Sequence, residues 1–270
     1  MFVLYLHLVL LGYGFLSSIL LLLAVLCGTP AAVKNYSILL FWGDFTDLVA
    51  IVAHLMNMER LAILFPSLVF IAFGPCTRIS PEFCNYSNSV FTGMIVQSTV
   101  IQCISFWYRS KVTTQTAPGP VKLNFIVVLF NLPNIAHMII FKNMKSYDIS
   151  LLRAVQNLYP QQNLNHTYFY GLSNVYEPQQ AITYFMFFLE VPVLFAYMIR
   201  IRSRVRSVYN KLRSKKAVSE KTYALHRVFL RILTIHSLLP LFCVLGIILI
   251  IPTMLGVVNE ELEECVFLVR

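Results

Sequence analysis

The sequence predicts an all-α membrane protein, a multi-pass bundle of helices, from its composition and from the length of its apolar runs. Of its 270 residues, 58% are hydrophobic and only 12% are charged, too few polar side chains to cover a water-soluble protein of this size. A helix that crosses about 30 Å of hydrocarbon needs roughly 20 mostly apolar residues, because only then are its backbone hydrogen bonds satisfied inside lipid. Six runs meet that requirement.

The six predicted spans follow one another without an internal repeat or a dividing linker, so residues 1–270 are expected to form one transmembrane domain. The spans are predicted at about 3–27, 37–57, 88–108, 121–141, 180–200 and 228–252. The first could instead be a cleaved signal peptide, but it lacks a basic start, and its apolar run of about 25 residues exceeds the roughly 7–15 of a signal. The fourth and fifth contain Pro133 and Pro192, which membrane helices tolerate.

The basic residues of the predicted loops indicate an orientation. If the N-terminus lies outside, the inner loops hold 14 Lys and Arg residues, ten of them between 200 and 227, and the outer loops hold five. The positive-inside rule therefore predicts an extracellular N-terminus. The sequons at Asn165 and Asn85 then fall outside as candidate glycosylation sites, Asn165 the better because Asn85 is close to a helix start, whereas Asn35 falls inside. The net charge of +9 thus reflects membrane topology, and no nucleic-acid-binding motif is present.

The first predicted outer loop contains two cysteines, Cys76 and Cys84, with seven residues between them. Because the outer side is oxidising and such a short loop closes easily, a disulfide between them is expected, and two free thiols are the alternative. The second outer loop, 142–179, contains no cysteine. Its length suggests either a lid over a ligand pocket or a solvated spacer that carries a glycan.

Ionisable residues inside the spans are costly and are functional by default. Asp44 and Asp47 lie three apart in the second span and so share one side of that helix, and Glu190 lies in the fifth span. These carboxylates could form the polar centre of a receptor bundle or couple ions in a small transporter or channel, and the absence of a repeated motif favours the receptor. No catalytic motif, phosphate loop or metal-binding spacing occurs, so we expect no enzyme, no cofactor and no metal.

Tyr108 and Arg109 end the third span. An arginine at this place could be a switch to a G protein at the cytoplasmic mouth of the bundle, and the alternative is an interfacial anchor made of an aromatic belt and a positive charge. The basic segment from Arg200 to Arg227 is predicted to continue spans five and six as helix. It could bind anionic lipid of the bilayer or an effector, or both.

A series of motifs resembles the nematode serpentine chemoreceptors of class delta (Srd), in the Str-type seven-transmembrane G-protein-coupled receptor superfamily. The matching segments are Thr29-Pro30, Asn35 to Leu40, Thr46 to Leu48, Gly74-Pro75-Cys76 with Cys84, Tyr108-Arg109, and Lys221 to His226 followed by His236 and Pro240. The resemblance implies a receptor in the plasma or ciliary membrane of sensory neurons that reads small environmental chemicals and signals to a heterotrimeric G protein. It implies Asp47 in the polar centre, Arg109 at the cytoplasmic switch, and Cys76 and Cys84 outside.

Three departures qualify this resemblance. Trp42-Gly43 stands where such receptors usually carry a polar Asn, and Ser110 replaces the second aromatic residue after Arg109. After six spans, Glu260 to Arg270 is too short to cross the membrane again. The expected architecture is therefore a bundle of the seven-transmembrane receptor type with six complete spans and the seventh missing or truncated, and an inactive truncated receptor product is a further alternative.

Overall fold

The computed structural model describes residues 2–29, 34–64, 67–114, 118–142, 168–172 and 178–214, with the single helical positions 228, 231, 234, 235 and 245. Within these ranges the long helices are α1 (Phe2–Gly28), α2 (Lys34–Asn57), α3 (Pro81–Thr114), α4 (Pro120–Lys142) and α5 (Pro178–Ser214). They contain the first five predicted spans. The sixth predicted span, 228–252, falls outside the described residues apart from those single positions.

The predicted all-α membrane architecture is confirmed. By length and composition, the described helices able to cross a membrane are Leu8–Gly28, Lys34–Asn57, Pro81–Val112 and Pro120–Ile140. α3 is longer than the predicted third span. Its 34 residues extend about 51 Å at 1.5 Å per residue, whereas the hydrocarbon layer is about 30 Å thick. Hydropathy predicts the part of a helix that lies in lipid, and the helix itself continues at both ends. α5 likewise continues past residue 200 to Ser214, as predicted for the basic segment.

α3 is the central helix of the described bundle. It packs against α2, α4 and α5, and α1 packs on α2. The outer faces of α1 and α4 carry large exposed apolar side chains, such as Tyr13 on α1 and Val121 and Phe125 on α4. Such continuous apolar surface has no place on a soluble protein but is the surface that lipid solvates.

A three-stranded antiparallel sheet, which the sequence analysis did not predict, lies between these helices at one end of the bundle, here called the sheet end. Its strands are β1 (Glu59–Leu64), β2 (Ser67–Ala72) and β3 (Tyr168–Leu172), in the order β1-β2-β3. β1 pairs with β2 in a hairpin, and β2 pairs with β3 from Leu68↔Leu172 to Ala72↔Tyr168. The sheet therefore joins the first predicted outer loop to the second, which contributes β3.

Asn57, the last residue of α2, connects α2, the sheet and α3. Its backbone carbonyl accepts hydrogen bonds from the N–H groups of Gly74, at 2.8 Å, and Phe73, at 3.2 Å. Its side chain is 0% exposed. With the amide oriented to suit its partners, Nδ2 donates to the Cys84 carbonyl at 3.1 Å and Oδ1 accepts from Asn88 N–H at 2.8 Å. The Asn88 amide in turn donates to the carboxylate of Glu59 in β1.

The segment between β2 and α3 is closed by a disulfide between Cys76 and Cys84. Cys76 lies in a short 3-10 turn, Pro75–Arg78, and Cys84 lies in the first turns of α3. Both cysteines are buried. The neighbouring sequon residue, Asn85, is also buried on α3, whereas Asn165 lies outside the described residues.

Candidate functional site

The end of the bundle opposite the sheet is here called the arginine end. It contains the start of α2 at Lys34, the last turns of α3 and the start of α4 at Pro120. α2 and α4 run from this end toward the sheet, and α3 runs the other way. The helix ends that border the first two loops assigned to the inner side therefore lie together at the arginine end, and the described strands of the two loops assigned to the outer side lie at the sheet end.

Arg109 is buried at the arginine end and is only 6% exposed. Its guanidinium carbon Cζ lies 4.0 Å from the centroid of the Tyr36 ring, a close cation–π contact between α3 and α2. The Tyr36 ring also stacks on Tyr108, with centroids 6.0 Å apart and an angle of 28° between the planes. Two consecutive residues of α3 therefore contact one aromatic ring on α2.

Apolar packing holds the position of the Tyr36 ring. Tyr36 and Tyr108 belong to a buried apolar cluster formed by α2, α3 and α4. The other buried members are Leu39, Val100, Ile101, Ile104, Leu123 and Val127. Tyr36 lies in the first turn of α2, and Leu39 follows three positions later on the same side of the helix, which turns both side chains toward α3.

α5 supports α3 from another side. Cys103 and Phe106 of α3 pack against Met198, Ile201 and Val205 of α5, all of them buried. The arginines beside them on α5, among them Arg202, Arg204 and Arg206, are exposed. The basic extension of α5 thus buries one apolar stripe on α3 and leaves its arginines accessible, as expected of long side chains near a lipid surface.

Trp42, one of the departures from the receptor pattern, has a structural role. Its indole Nε1–H donates to Oδ1 of Asn124 at 2.9 Å and so joins α2 to α4. The neighbouring Gly43 lies against α3, where a Cβ atom would meet Ile101 Cγ2 at 3.8 Å. The position therefore still carries a polar contact between helices, although its residue type differs from the usual Asn.

Asp44 and Asp47, the predicted polar centre, lie about two turns from Tyr36 along α2. Asp44 is 7% exposed, and its Oδ2 is buried and accepts no hydrogen bond within the described part of the chain. Asp47 is half-buried, as is Glu190 on α5. Asp44 is therefore the more enclosed of the two aspartates, a difference that their spacing in the sequence does not show.

A second set of buried polar contacts joins α3 to α4. Nδ2 of Asn134 donates to the Gly93 carbonyl at 2.6 Å, and the Ser89 hydroxyl donates to the Met138 carbonyl at 2.5 Å. A side chain at Gly93 would overlap Met138, so the two helices approach closely there. Small residues and interhelical hydrogen bonds of this kind hold membrane helices together.

The sequence analysis named Tyr108 and Arg109 but missed Tyr36 as their partner. Tyr36 appeared only as the middle residue of the sequon at Asn35 and as part of a motif in the second span. Its place one residue before that span, with Arg109 one residue after the third span, was the available signal. Antiparallel neighbouring helices bring two such positions to the same depth.

Comparison with known proteins identifies relatives along nearly the whole chain. A family model described as the serpentine type 7TM GPCR chemoreceptor Srd matches residues 3–270. Serpentine receptor class delta-3 of Caenorhabditis elegans is 24% identical over 234 residues, which cover 85% of this chain and 68% of that protein. Class delta-1 of the same organism is 24% identical over 258 residues, covering 94% and 69% respectively. No solved structure matches the chain at a significant level.

Proposed function

This chain belongs to the Srd family of serpentine seven-transmembrane chemoreceptors, and we propose that it detects small environmental chemicals and signals to a heterotrimeric G protein. It is a multi-pass membrane protein of a receptor family rather than of an enzyme family. The observation that carries the proposal is the burial of Arg109 at the arginine end, against the Tyr36 ring at the start of α2.

The chemistry of Arg109 suits a switch. A guanidinium offers five N–H donors in a planar fork, which matches carboxylate and carbonyl oxygens of a partner protein. An arginine that serves only as an interfacial anchor would extend outward to the headgroup region and be exposed on the bundle, as Arg202 and Arg206 are. Arg109 instead packs inward on Tyr36. This contrast favours the switch over the anchor.

The proposed orientation places the N-terminus and the sheet end outside and the arginine end in the cytoplasm. It predicts that Asn165→Gln abolishes an endoglycosidase-sensitive shift in gel mobility when the chain is expressed in animal cells. Asn35→Gln is expected to have no effect, because the sequon at Asn35 would face the cytoplasm. Asn85→Gln is also expected to have none, because Asn85 is buried on α3. A shift that depends on Asn35 would reverse the orientation.

Arg109→Ala is expected to weaken G-protein signalling strongly while the protein still reaches the membrane. The full chain would be expressed with a panel of Gα subunits and exposed to a panel of small volatile and water-soluble organic compounds, with second-messenger output as the readout. Loss of a guanidinium from a buried charge-assisted contact corresponds to a decrease of roughly tenfold or more in response. Arg78→Ala is the matched control, because Arg78 is exposed in the turn at the sheet end, and it is expected to keep the wild-type response.

Two outcomes would contradict this assignment. If Arg109→Ala and Asp47→Asn both signal like the wild type, the proposed roles of the switch and of the polar centre are wrong. If the wild type responds with no Gα subunit but carries substrate flux in proteoliposomes that Asp44→Asn abolishes, the chain is a transporter.

A further inference from the structure

The contact between Tyr36 and Arg109 lies at the edge of the predicted hydrocarbon region. Tyr36 is the residue before the second predicted span, 37–57, and Arg109 is the residue after the third, 88–108. Both side chains are nevertheless buried in protein, at 5% and 6% exposure. A charged group at this depth that turns away from the headgroups must gain more from its protein contacts than it would from water and phosphate.

The Tyr36 ring is held in place to receive the guanidinium. It stacks on Tyr108, the residue next to Arg109, and the buried cluster that includes Leu39 and Ile104 surrounds it. The ring is therefore a fixed platform. Rotation of the ring away from Arg109 would also break its stacking on Tyr108.

The chemistry of this contact makes it displaceable. Attraction between a guanidinium and an aromatic face is stronger when both are desolvated, and Arg109 also forms a hydrogen bond with the Tyr36 side chain, but this set lacks the paired hydrogen bonds of an arginine with a carboxylate. A partner protein that presents carboxylate or backbone carbonyl oxygens therefore offers Arg109 a stronger set of contacts than the ring does.

We propose that Tyr36 is a positioning residue that holds Arg109 inside the bundle of the unliganded receptor and so competes with the G protein for it. This inference rests on the proposed signalling function, and it adds a residue on α2 that restrains the switch on α3. Phe106 packs α3 against Met198 and Ile201 of α5 on another side. Release of Arg109 therefore loosens the start of α2 against α3 and leaves the seam between α3 and α5 in place.

The test measures how accessible Arg109 is, with and without the aromatic ring. The full chain is reconstituted in nanodiscs of phosphatidylcholine and phosphatidylglycerol and treated with phenylglyoxal, and mass spectrometry follows modification of the peptide that contains Arg109. Tyr36→Leu is expected to raise the modification rate on the order of tenfold, because it removes a desolvated cation–π contact. Tyr36→Phe keeps the ring but loses the hydrogen bond of the hydroxyl with Arg109, so its modification rate is expected to rise by much less than that of Tyr36→Leu. Tyr36→Met serves if the leucine variant does not fold.

A second measurement relates accessibility to signalling. Nucleotide exchange on added heterotrimeric G proteins, with no chemical ligand present, is expected to rise in Tyr36→Leu and to rise much less in Tyr36→Phe, which keeps the ring. Tyr197→Leu on α5 is the matched control, because Tyr197 is about half exposed, and it is expected to change neither measurement.

The outcomes separate this inference from the proposed function. An unchanged modification rate in Tyr36→Leu overturns the inference, even if thermal stability falls, because the residue would then only pack. An equal rise in Tyr36→Leu and Tyr36→Phe overturns it too, since the hydroxyl rather than the ring would hold Arg109. If modification rises as expected but neither wild type nor variant promotes nucleotide exchange on any G protein, the signalling function fails while the positioning of Arg109 by Tyr36 stands.

Discussion

Gly74→Ala is expected to yield a protein with a greatly reduced folded fraction. A Cβ atom on Gly74 would overlap the carbonyl oxygen of Met56 and lie 2.6 Å from the carbonyl carbon of Asn57. Both are backbone atoms at the end of α2, and the hydrogen bond from Gly74 N–H to the Asn57 carbonyl holds the two segments together. Because no side-chain rotation can relieve this overlap, the cost is at least about 3 kcal/mol. The measurement is the yield and thermal unfolding midpoint of the detergent-purified protein.

Gly43→Ala is the control for this prediction. A Cβ atom on Gly43 would meet Ile101 Cγ2 at 3.8 Å, an ordinary van der Waals distance. Within α2 the exchange of glycine for alanine also gains up to about 1 kcal/mol of helix propensity. The unfolding midpoint of Gly43→Ala is therefore expected to equal or exceed that of the wild type. Equal midpoints for Gly74→Ala and Gly43→Ala would show that the approach at Gly74 has no energetic consequence.

Asn57→Leu is expected to lower the free energy of unfolding by about 2 kcal/mol, because it removes two buried hydrogen bonds of about 1 kcal/mol each to backbone groups of α3, which then keep only their pairing along that helix. These are the carbonyl of Cys84 and the N–H of Asn88, which the Asn57 amide contacts at 3.1 and 2.8 Å. The two groups are four residues apart on α3, so the amide binds to the start of that helix at both a donor and an acceptor. Thermal unfolding, with hydrogen exchange of the first turns of α3, measures the effect.

The same substitution at Asn124 separates this effect from the general effect of replacing an amide by an apolar side chain. Asn124 is exposed on α4, and only its contact with the indole N–H of Trp42 is lost in Asn124→Leu. Hydrogen bonds between membrane helices average about 0.6 kcal/mol, so Asn124→Leu is expected to shift the midpoint only slightly. A shift as large as that of Asn57→Leu would refute the special role of Asn57.

The helices were predictable because the signal for a membrane helix is local. Each depends on about 20 apolar residues in a row, and the first five predicted spans all lie within helices of the structure. The ends of α3 could not be predicted from hydropathy, because the helix continues beyond its apolar part to Pro81 and Thr114. Family membership, predicted from the ordered motifs, was confirmed by the match over residues 3–270.

The sheet and the partner of Arg109 were not predictable in the same way, because both depend on contacts between distant residues. Residues 59–64 and 67–72 are short apolar runs of strand length on either side of residues 65–66, which was a usable hairpin signal. Strand β3 lies in a long loop without a comparable apolar run. It pairs Tyr168 with Ala72, although two membrane helices separate these residues in the sequence. Tyr36 likewise becomes the neighbour of Arg109 only once α2 and α3 pack antiparallel.

The pairing of β2 with β3 has a consequence for biogenesis. The hairpin of β1 and β2 emerges from the ribosome about a hundred residues before Leu172, its furthest partner in β3. Until α3 and α4 are inserted and the following segment has crossed the bilayer, β2 has one unpaired edge made of apolar residues, the kind of edge that pairs with other chains. The order of synthesis therefore means that the sheet closes late, and the β2 edge stays available to other chains until β3 pairs with it.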